Sequence, residues 1–209
     1  MTLSRCGAAV VLVRHGQPEG VLPKSFLGHS DPQLNALGRE QAAAAAQLVH
    51  GLVADGKLPP PTALWHSDLQ RAAQTALPIA SAFKLQGRSI AAMREIDFGA
   101  WDGQTFEQVN AANNNAASAW FTNPTSIPPP DGESLDDVYQ RVEHFVVSEL
   151  LGLPSNSSAI VVAHFGSLAM LSAVLLGLSP KQALGTVLQR GQCGYIVDGA
   201  LRWWGLPHV

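Results

Sequence analysis

Two histidines stand directly after short apolar runs of the chain, and an arginine adjoins the first of them. His15 follows residues 8–13, with Arg14 between them, and His164 follows residues 159–163. A neutral imidazole can attack phosphorus and hold the phosphoryl group, which divides one displacement into two easier steps. Arginine suits such a site because its planar guanidinium matches phosphate oxygens and stays charged. These residue types therefore favour phosphoryl transfer, provided that the fold brings them together.

The elements that must position these histidines are predicted to be strands of one sheet. Residues 8–13 and 159–163 are continuous apolar runs with many β-branched side chains, which is typical of strands buried on both faces. Open α/β sheets bind their ligands at the carboxyl ends of such strands. Because strands alternate with helices, the expected fold is a single three-layer α/β/α domain over residues 1–209, with a mostly parallel central sheet. The other predicted elements are strands over residues 62–66 and 89–93, a hairpin of residues 195–197 and 201–204 on an Asp-Gly turn, and helices over residues 38–53, 68–83, 105–121, 134–151 and 166–178.

Composition and charge exclude several classes of protein. The 209 residues carry a formal net charge of −3, which argues against a nucleic-acid partner because affinity for a phosphate backbone needs clustered cations. The apolar run at residues 8–13 is too short to span a membrane or to act as a secretory signal. Cys6 and Cys193 provide no disulfide framework, so we expect a cytoplasmic location.

Other residues that could do chemistry are interpreted as structural. The histidines show no HExxH-like spacing and Ser167 lies in no GxSxG motif, so neither a metal site nor a serine nucleophile is predicted. Phe26, Trp101 and Trp120 could border a substrate opening, but packing in the core or at its rim is the favoured interpretation.

Six segments spread over the chain carry small and charged residues in a fixed order. They are LVRHGQ at residues 12–17, DPQLNALGREQA at 31–42, SDLQRAAQTA at 67–76, EIDFGAWDG at 95–103, DGES at 131–134 and VVAHFG at 161–166. A tripeptide such as RHG recurs by chance, whereas an ordered series over most of the chain does not. The series resembles the histidine phosphatase superfamily, which includes cofactor-dependent phosphoglycerate mutases and acid phosphatases.

The resemblance implies a role for five residues. His15 is expected to be the nucleophile that takes up the phosphoryl group, and Arg14 and Arg71 are expected to bind its oxygens. His164 is expected to complete the pocket and to stabilise the transferring group. Glu95 is expected to protonate the leaving oxygen and then to activate water. Taken singly, each of these residues is more often a satisfied core residue or a surface charge, so these expectations depend on the ordered series.

Three positions depart from the pattern of the family. Pro18 and Val21 stand where threonine and asparagine are common, and Phe165 with the glycine after it stands where the family has two glycines. Because the asparagine often helps to bind phosphate, we expect Gln17 or a backbone N–H near Gly28 to supply that donor. Phe165 is expected to contact the substrate and to alter the shape of the pocket.

The resemblance implies a metal-independent phosphomonoester hydrolase that acts through a phosphohistidine, without a cofactor, on a small phosphorylated metabolite. Residues 98–101 and 129–134 are similar to those of α-ribazole-5′-phosphate phosphatases, so the expected substrate is α-ribazole 5′-phosphate or a sugar or glycerate phosphate. Two alternatives stay open, a cofactor-dependent phosphoglycerate mutase and a phosphate-binding regulatory protein that has lost hydrolysis. A homodimer is compatible with the sequence.

Overall fold

The apolar runs predicted to be buried strands form the centre of one mixed sheet. The computed structural model describes residues 6–186 and 189–204. Across these residues six strands lie in the order β3-β2-β4-β1-β5-β6. The first four strands of this order pair in parallel, β5 runs antiparallel to β1, and β6 runs antiparallel to β5, which confirms a mostly parallel sheet. The strands are β1 (Ala9–Arg14), β2 (Pro61–His66), β3 (Gly87–Ser89), β4 (Ser158–Ala163), β5 (Cys193–Val197) and β6 (Ala200–Trp204).

Helices cover both faces of this sheet, as the predicted three-layer α/β/α fold requires. They are α1 (Ala36–Ala54), α2 (Gln70–Phe83), α3 (Phe106–Ala112), α4 (Ala116–Thr122), α5 (Leu135–Phe145), α6 (Phe165–Leu176) and α7 (Pro180–Ala183). Along β1, Val11 and Val13 pack in an apolar cluster with α1 and α2. Val10 and Leu12 point to the other face and pack in a cluster with α5 and α6. The two faces explain why β1 shows no alternation of apolar and polar residues.

Two predicted elements differ from the structure. Residues 89–93 do not form a strand, because β3 ends at Ser89 and Ala91–Met93 forms a 3₁₀ turn that buries Met93 against α5. The single helix predicted over residues 105–121 is also wrong, since α3 and α4 are separate. Asn114 and Asn115 between them have φ angles of 45° and 62°, a left-handed conformation that asparagine tolerates and that a helix interior excludes.

Local sequence signals correctly mark other ends of elements. Ser134 and Asp137 form the capping box of α5, in which the Asp137 N–H donates to Ser134 Oγ at 3.2 Å. The helix continues beyond its last α-helical residue as a π-helical turn, Val146–Leu150. Asp198 and Gly199 have φ angles of 51° and 71° and form the turn between β5 and β6. In the described part of the chain, no helix is long and apolar enough to cross a membrane.

Candidate active site

The two histidines meet because β1 and β4 are adjacent parallel strands that end together. Arg14 pairs with Ala163 in the register of the sheet, and the His15 N–H donates to Ala163 O at 3.0 Å. His164 is the next residue after β4, so both imidazoles leave the sheet at the same edge. Their ring centroids lie 5.0 Å apart, with the ring planes inclined by 55°. Two side chains far apart in the sequence thus form one site at the carboxyl ends of central strands.

His15 is a neutral imidazole with a defined tautomer. Its Nδ1 lies 2.7 Å from Gly16 O, and because a carbonyl oxygen only accepts, Nδ1 carries the proton. Burial lowers the pKa of His15 well below its usual value, and the charges of Arg71 and Arg14 lower it further. The ring is therefore neutral near pH 7, and Nε2 carries a lone pair. A nucleophile of this kind needs no base to remove a proton from it.

His164 is a buried side chain whose ring nitrogens have no hydrogen-bond partner in the described part of the chain. It is 0% exposed, and among the described residues neither of its ring nitrogens has a hydrogen bond. Burial, followed by the charge of Arg71, lowers the pKa of His164 well below its usual value. Leaving a buried polar group unsatisfied is costly, so such a group is seldom retained without a purpose. A neutral imidazole here suits a hydrogen bond to an oxygen of a bound anion.

Arg71, in the first turn of α2, is fully buried beside the histidines and is anchored by a loop. Its Nη1 donates to Ser30 O and its Nη2 to Gly28 O, each at 2.7 Å. Asp102 fixes this loop in turn, because its Oδ1 accepts from the Gly28 N–H at 3.0 Å and its Oδ2 from the Ser30 N–H at 2.6 Å. Asp102 therefore positions Arg71 without touching it.

Gly28 supports Arg71 with both of its backbone polar groups. Its N–H donates to Asp102 and its carbonyl oxygen accepts from Arg71. The N–H of Gly28 itself is thus already hydrogen-bonded inside the protein, and the expectation that Gln17 or a backbone N–H near Gly28 supplies the phosphate donor stays a prediction. A side chain at this position would contact the loop that carries Glu95, since an added Cβ would be 2.7 Å from Ile96 O.

Glu95 is fixed by backbone donors from two elements. Its Oε1 accepts from the Gly166 N–H at 2.7 Å and from the Ile96 N–H at 3.0 Å. The contact with the first turn of α6 needs glycine, because a Cβ on Gly166 would lie 2.6 Å from Oε1. The two donors hold the carboxyl group of Glu95 in one orientation, beside His15 in the lining of the same cavity.

Arg141 and Glu133 clamp the loop that carries Glu95. Arg141 Nη1 donates to Ala92 O at 2.7 Å and to Arg94 O at 2.9 Å, and Nη2 donates to Glu95 O at 3.0 Å. Its Nε and Nη2 also donate to the two carboxylate oxygens of Glu133, each at 2.9 Å. A bidentate pair of this kind fixes direction as well as distance. The loop that carries Glu95 is thus held by Arg141, which lies on α5.

Arg14 lies in the lining of the cavity with His15 and packs against an aromatic ring. Its Cζ is 5.3 Å from the centroid of Phe165, so the residue that departs from the family's glycine covers this guanidinium. Burial lowers the pKa of Arg14 to about 10, an effect that the nearby Glu95 opposes. Arg14 therefore stays charged near pH 7. Gly191 fastens the backbone of this segment, because its N–H is shared by Arg14 O and His15 O, each at 3.1 Å.

Gln17 binds a third arginine of the site, Arg190. The Arg190 Nη1 donates to Gln17 Oε1 at 2.8 Å, and Arg190 lines the same cavity as Arg14 and His15. Burial lowers the pKa of Arg190, as it does for the other two arginines. Three guanidinium groups and two neutral imidazoles therefore lie near the carboxyl group of Glu95, and the site favours a dianion such as a phosphate monoester.

The reacting groups open into a cavity of about 610 Å³. Arg14, His15 and Glu95 line one end, whereas Arg71 and His164 are buried and stand outside the lining that the described residues form. Much of the remaining lining is aromatic. Its ring-bearing lining residues, which we call the aromatic wall, are Phe26, Phe98, Phe106, Trp120, Phe121 and Phe165.

This arrangement has counterparts among known proteins. Residues 10–197 match the family model of the histidine phosphatase superfamily, branch 1. The chain belongs to this superfamily. The membership that the six sequence segments indicated is therefore confirmed.

Relatives of this chain include enzymes of different named activities. The adenosylcobalamin/alpha-ribazole phosphatase of Escherichia coli is 31% identical over 173 residues, which cover 83% of this chain and 81% of that protein. A 2,3-bisphosphoglycerate-dependent phosphoglycerate mutase of Bradyrhizobium is 32% identical over 188 residues, 87% of each chain. The structure of a mycobacterial glucosyl-3-phosphoglycerate phosphatase in complex with VO3 superposes with a TM-score of 0.80 at 30% identity, covering 95% of this chain and 96% of that one. Other curated relatives are longer, and the chain spans 44% of their length.

Three supporting residues of the candidate site are not apparent from the sequence. Asp102 lies inside the EIDFGAWDG segment, so its place in that segment is a signal that could have indicated it. Arg141 and Arg190 lie outside the six segments. Their roles depend on contacts with distant backbone or side chains, and no local pattern encodes such contacts.

Proposed function

We propose that this chain hydrolyses small phosphate monoesters through a covalent intermediate on His15 Nε2. The observation that carries the proposal is the hydrogen bond from Nδ1 to Gly16 O in a site where burial and neighbouring arginines keep the ring neutral. Together these features give Nε2 the lone pair that attack on phosphorus needs. Membership of the histidine phosphatase superfamily supports the same chemistry.

In the first half-reaction, His15 Nε2 attacks phosphorus, so a P–N bond forms and the P–O bond to the alcohol breaks. Glu95 gives a proton to the departing oxygen and is left as a carboxylate. In the second half-reaction, Glu95 takes a proton from water while the water oxygen attacks phosphorus. The P–N bond then breaks, inorganic phosphate leaves, and His15 recovers its lone pair. Each group ends in the state in which it began.

The arginines and His164 stabilise the charge that the phosphoryl oxygens carry during both steps. Arg14 and Arg190 act from the cavity lining and Arg71 acts from its buried position beside the histidines. Because Arg71 and Arg190 are already oriented by hydrogen bonds, these two groups need little reorganisation when the charge develops. His164 donates from its protonated nitrogen to one oxygen, which satisfies a group that is otherwise without a partner among the described residues.

The proposal is tested with p-nitrophenyl phosphate in buffer containing EDTA. We expect His15→Ala to reduce kcat by at least about 1,000-fold, because both half-reactions pass through this side chain. His144→Ala is the matched control, since His144 is an exposed histidine on α5. Equal turnover by wild type and His15→Ala would disprove the proposed nucleophile. A second readout is a ³²P label on His15 that resists alkali and is lost in acid, as expected of a phosphohistidine.

The substrate is proposed to be a small phosphorylated metabolite, and three compounds are the first to assay. α-Ribazole 5′-phosphate and glucosyl-3-phosphoglycerate follow from the names of the relatives, and 3-phosphoglycerate tests for mutase chemistry. Interconversion of phosphoglycerates that depends on added bisphosphate would favour the mutase alternative, which the likeness to the Bradyrhizobium enzyme supports. Tight binding of vanadate without turnover of any ester would favour a regulatory protein instead.

A further inference from the structure

The aromatic wall identifies the kind of organic group that the cavity accepts. Beyond its reacting end, the cavity is bounded by rings from four parts of the chain, the loop of Phe26, the turn of Phe98, the two short helices α3 and α4, and the start of α6. Ile96, Leu135 and Leu184 also line the cavity. A pocket of about 610 Å³ lies within the usual size range for small-molecule sites, which is roughly 300–1,000 Å³.

The rings of the aromatic wall hold one another in place. The centroid of Phe26 is 5.0 Å from that of Phe98 and 6.3 Å from that of Trp120, and Trp120 stands edge-on to Phe26 at 84°. Trp120 also meets Phe121 at 5.0 Å and 80°. Tilted and edge-on contacts at these distances are the arrangements that aromatic pairs prefer. The wall is thus a preformed surface on which another flat ring can pack.

Phe121 is the exposed member of the wall. Although 59% of its surface is exposed, it contacts both Trp120 and Phe106, and it lines the cavity. A large exposed aromatic side chain that adjoins a cavity marks a place where a ligand covers apolar surface. Its substitution is expected to disturb the fold little.

Hydroxyl groups of a substrate would find few partners along this wall. Ser25 lines the cavity, but its hydroxyl already donates to Leu22 O at 2.8 Å. Lys24 is 79% exposed and lies 3.9 Å from Glu107, so it belongs to the rim. A polyol placed here would lose hydrogen bonds to water without replacing them, at about 1–3 kcal/mol for each unsatisfied group.

From this contrast we propose that the substrate of this site is a phosphate monoester whose organic part is a flat aromatic or heteroaromatic ring system, rather than a polyol. The inference rests on the proposed function for the phosphate end of the cavity. The phosphate lies against Arg14 and His15, and the ring system stacks on the wall between Phe26, Phe98 and Phe121. A glucosyl group, like that in the name of the mycobacterial relative, would set its hydroxyls against these rings.

The test compares three phosphate esters of primary alcohols, so that the leaving oxygens have similar basicity. They are naphthylethyl phosphate, octyl phosphate and glucose 6-phosphate. We expect kcat/KM for the naphthylethyl ester to exceed that for glucose 6-phosphate by about 10- to 100-fold, which is the range that stacking of one ring system on aromatic side chains supports. Octyl phosphate should fall between them, since it is apolar but cannot stack.

Two variants locate the preference in this cavity. Phe121→Ser is expected to reduce the ratio of naphthylethyl to glucose ester about five- to tenfold. Leu77→Ser is the matched control, because Leu77 is 66% exposed on α2 and outside the lining of the cavity. An equal preference for octyl and naphthylethyl phosphate would overturn the aromatic assignment, and so would a preference for glucose 6-phosphate. If Phe121→Ser leaves the ratio of naphthylethyl to glucose ester unchanged, the placement of the substrate's ring system on the aromatic wall is overturned.

A binding measurement separates this inference from the proposed function. Naphthylethylphosphonate and methylphosphonate cannot be hydrolysed at their P–C bonds, and calorimetry with wild-type protein compares their affinities without turnover. If no ester, including p-nitrophenyl phosphate, is hydrolysed, the proposed function fails, yet at least tenfold tighter binding of the naphthyl compound still supports the aromatic site. If p-nitrophenyl phosphate is hydrolysed and the two phosphonates bind equally, the aromatic inference alone fails.

Discussion

The reacting end and the aromatic end of the cavity are held together by different kinds of interaction. At the reacting end, backbone groups fix Arg71 and Glu95, because Arg71 donates to two carbonyl oxygens and Glu95 accepts from two N–H groups. At the aromatic end, Phe26, Trp120 and Phe121 rest on one another through ring contacts of 5.0–6.3 Å. Hydrogen bonds depend steeply on geometry, whereas ring contacts tolerate sliding. Small changes should therefore abolish hydrolysis when they are made at the reacting end, and only shift the substrate preference when they are made at the aromatic end.

The largest effects on this comparison are expected at Glu95, whose carboxyl group a single methyl group would displace. In Gly166→Ala the new Cβ would lie 2.6 Å from Glu95 Oε1, so the carboxyl group must move. We expect kcat/KM for alkyl phosphates to fall about 100-fold, because misplacement of about 1 Å costs that much in oriented catalysis. For p-nitrophenyl phosphate, whose leaving group needs little protonation, the loss should be much smaller.

Two comparisons sharpen that result. Glu95→Gln removes the proton donor itself and should show the same dependence on leaving group with a larger loss. Gly51→Ala is the control, because an added Cβ on this residue of α1 meets nothing within 4 Å. A Gly166→Ala loss that is equal for alkyl and p-nitrophenyl esters would remove Glu95 from the role of acid.

The next effect distinguishes the two ends by their response to pH. Burial lowers the pKa values of His15 and His164 in the folded protein well below the value of about 6.5 that unfolded chains show. Below pH 6.5 the unfolded state therefore binds more protons than the folded state. As the pH decreases in this range, the free energy of unfolding should fall by up to about 1.4 kcal/mol per pH unit for each histidine. Above pH 6.5 the contribution of these histidines to the free energy of unfolding is complete and no longer changes with pH.

Urea unfolding at several pH values between about 7.5 and 5.5 measures this dependence. His164→Gln removes one titrating group, so its free energy of unfolding should fall less steeply with acid than that of the wild type. Phe121→Ser lies at the aromatic end and should keep the wild-type slope. Parallel curves for wild type and His164→Gln would show that His164 is not held neutral.

A smaller effect is expected from the residue that supports Arg71 at a distance. Asp102→Ala releases the N–H groups of Gly28 and Ser30, whose carbonyl oxygens anchor Arg71. We expect kcat/KM to fall about tenfold, since the guanidinium keeps its charge and loses only its fixed position. Asp102→Asn should recover part of the loss, because its amide oxygen still accepts one hydrogen bond. Asp136→Ala, at an exposed carboxylate of α5, is the control, and an Asn variant as impaired as the Ala variant would contradict the positioning role.

The smallest effect is expected from Arg190. Arg190→Gln removes one of three guanidinium groups, and we expect KM for phosphate esters to rise about fivefold while kcat changes less than twofold, because Arg14 and Arg71 remain. Arg202→Gln makes the same change in charge at an exposed position on β6. A rise in KM of the same size in Arg202→Gln would assign the effect to net charge rather than to the site.

The fold was predictable where one physical signal dominates. β1 and β4 carry continuous apolar runs, and such runs fit strands covered on both faces. β3 consists of Gly87, Arg88 and Ser89, a sequence without a strand pattern, and it forms because it pairs with β2. The break between α3 and α4 needed knowledge of which asparagines adopt positive φ, and composition alone does not provide that.

The candidate site divides in the same way. His15 and His164 were predictable because each follows a strand, so the rules of sheet topology bring them to one edge. Arg71, Glu95 and their family roles came from matched segments, and those catalytic roles remain proposals. The hydrogen bond from Arg190 to Gln17 joins residues 173 positions apart, and neither partner has a local signal that indicates the other.

The shared N–H of Gly191 joins this residue to Arg14 and His15, which the ribosome synthesises much earlier. It is bonded to the carbonyl oxygens of Arg14 and His15, although these residues are synthesised some 175 positions earlier. On the ribosome, the backbone of Arg14 and His15 can therefore form these hydrogen bonds only after Gly191 has been synthesised. A chain that is truncated before this glycine is expected not to hydrolyse phosphate esters.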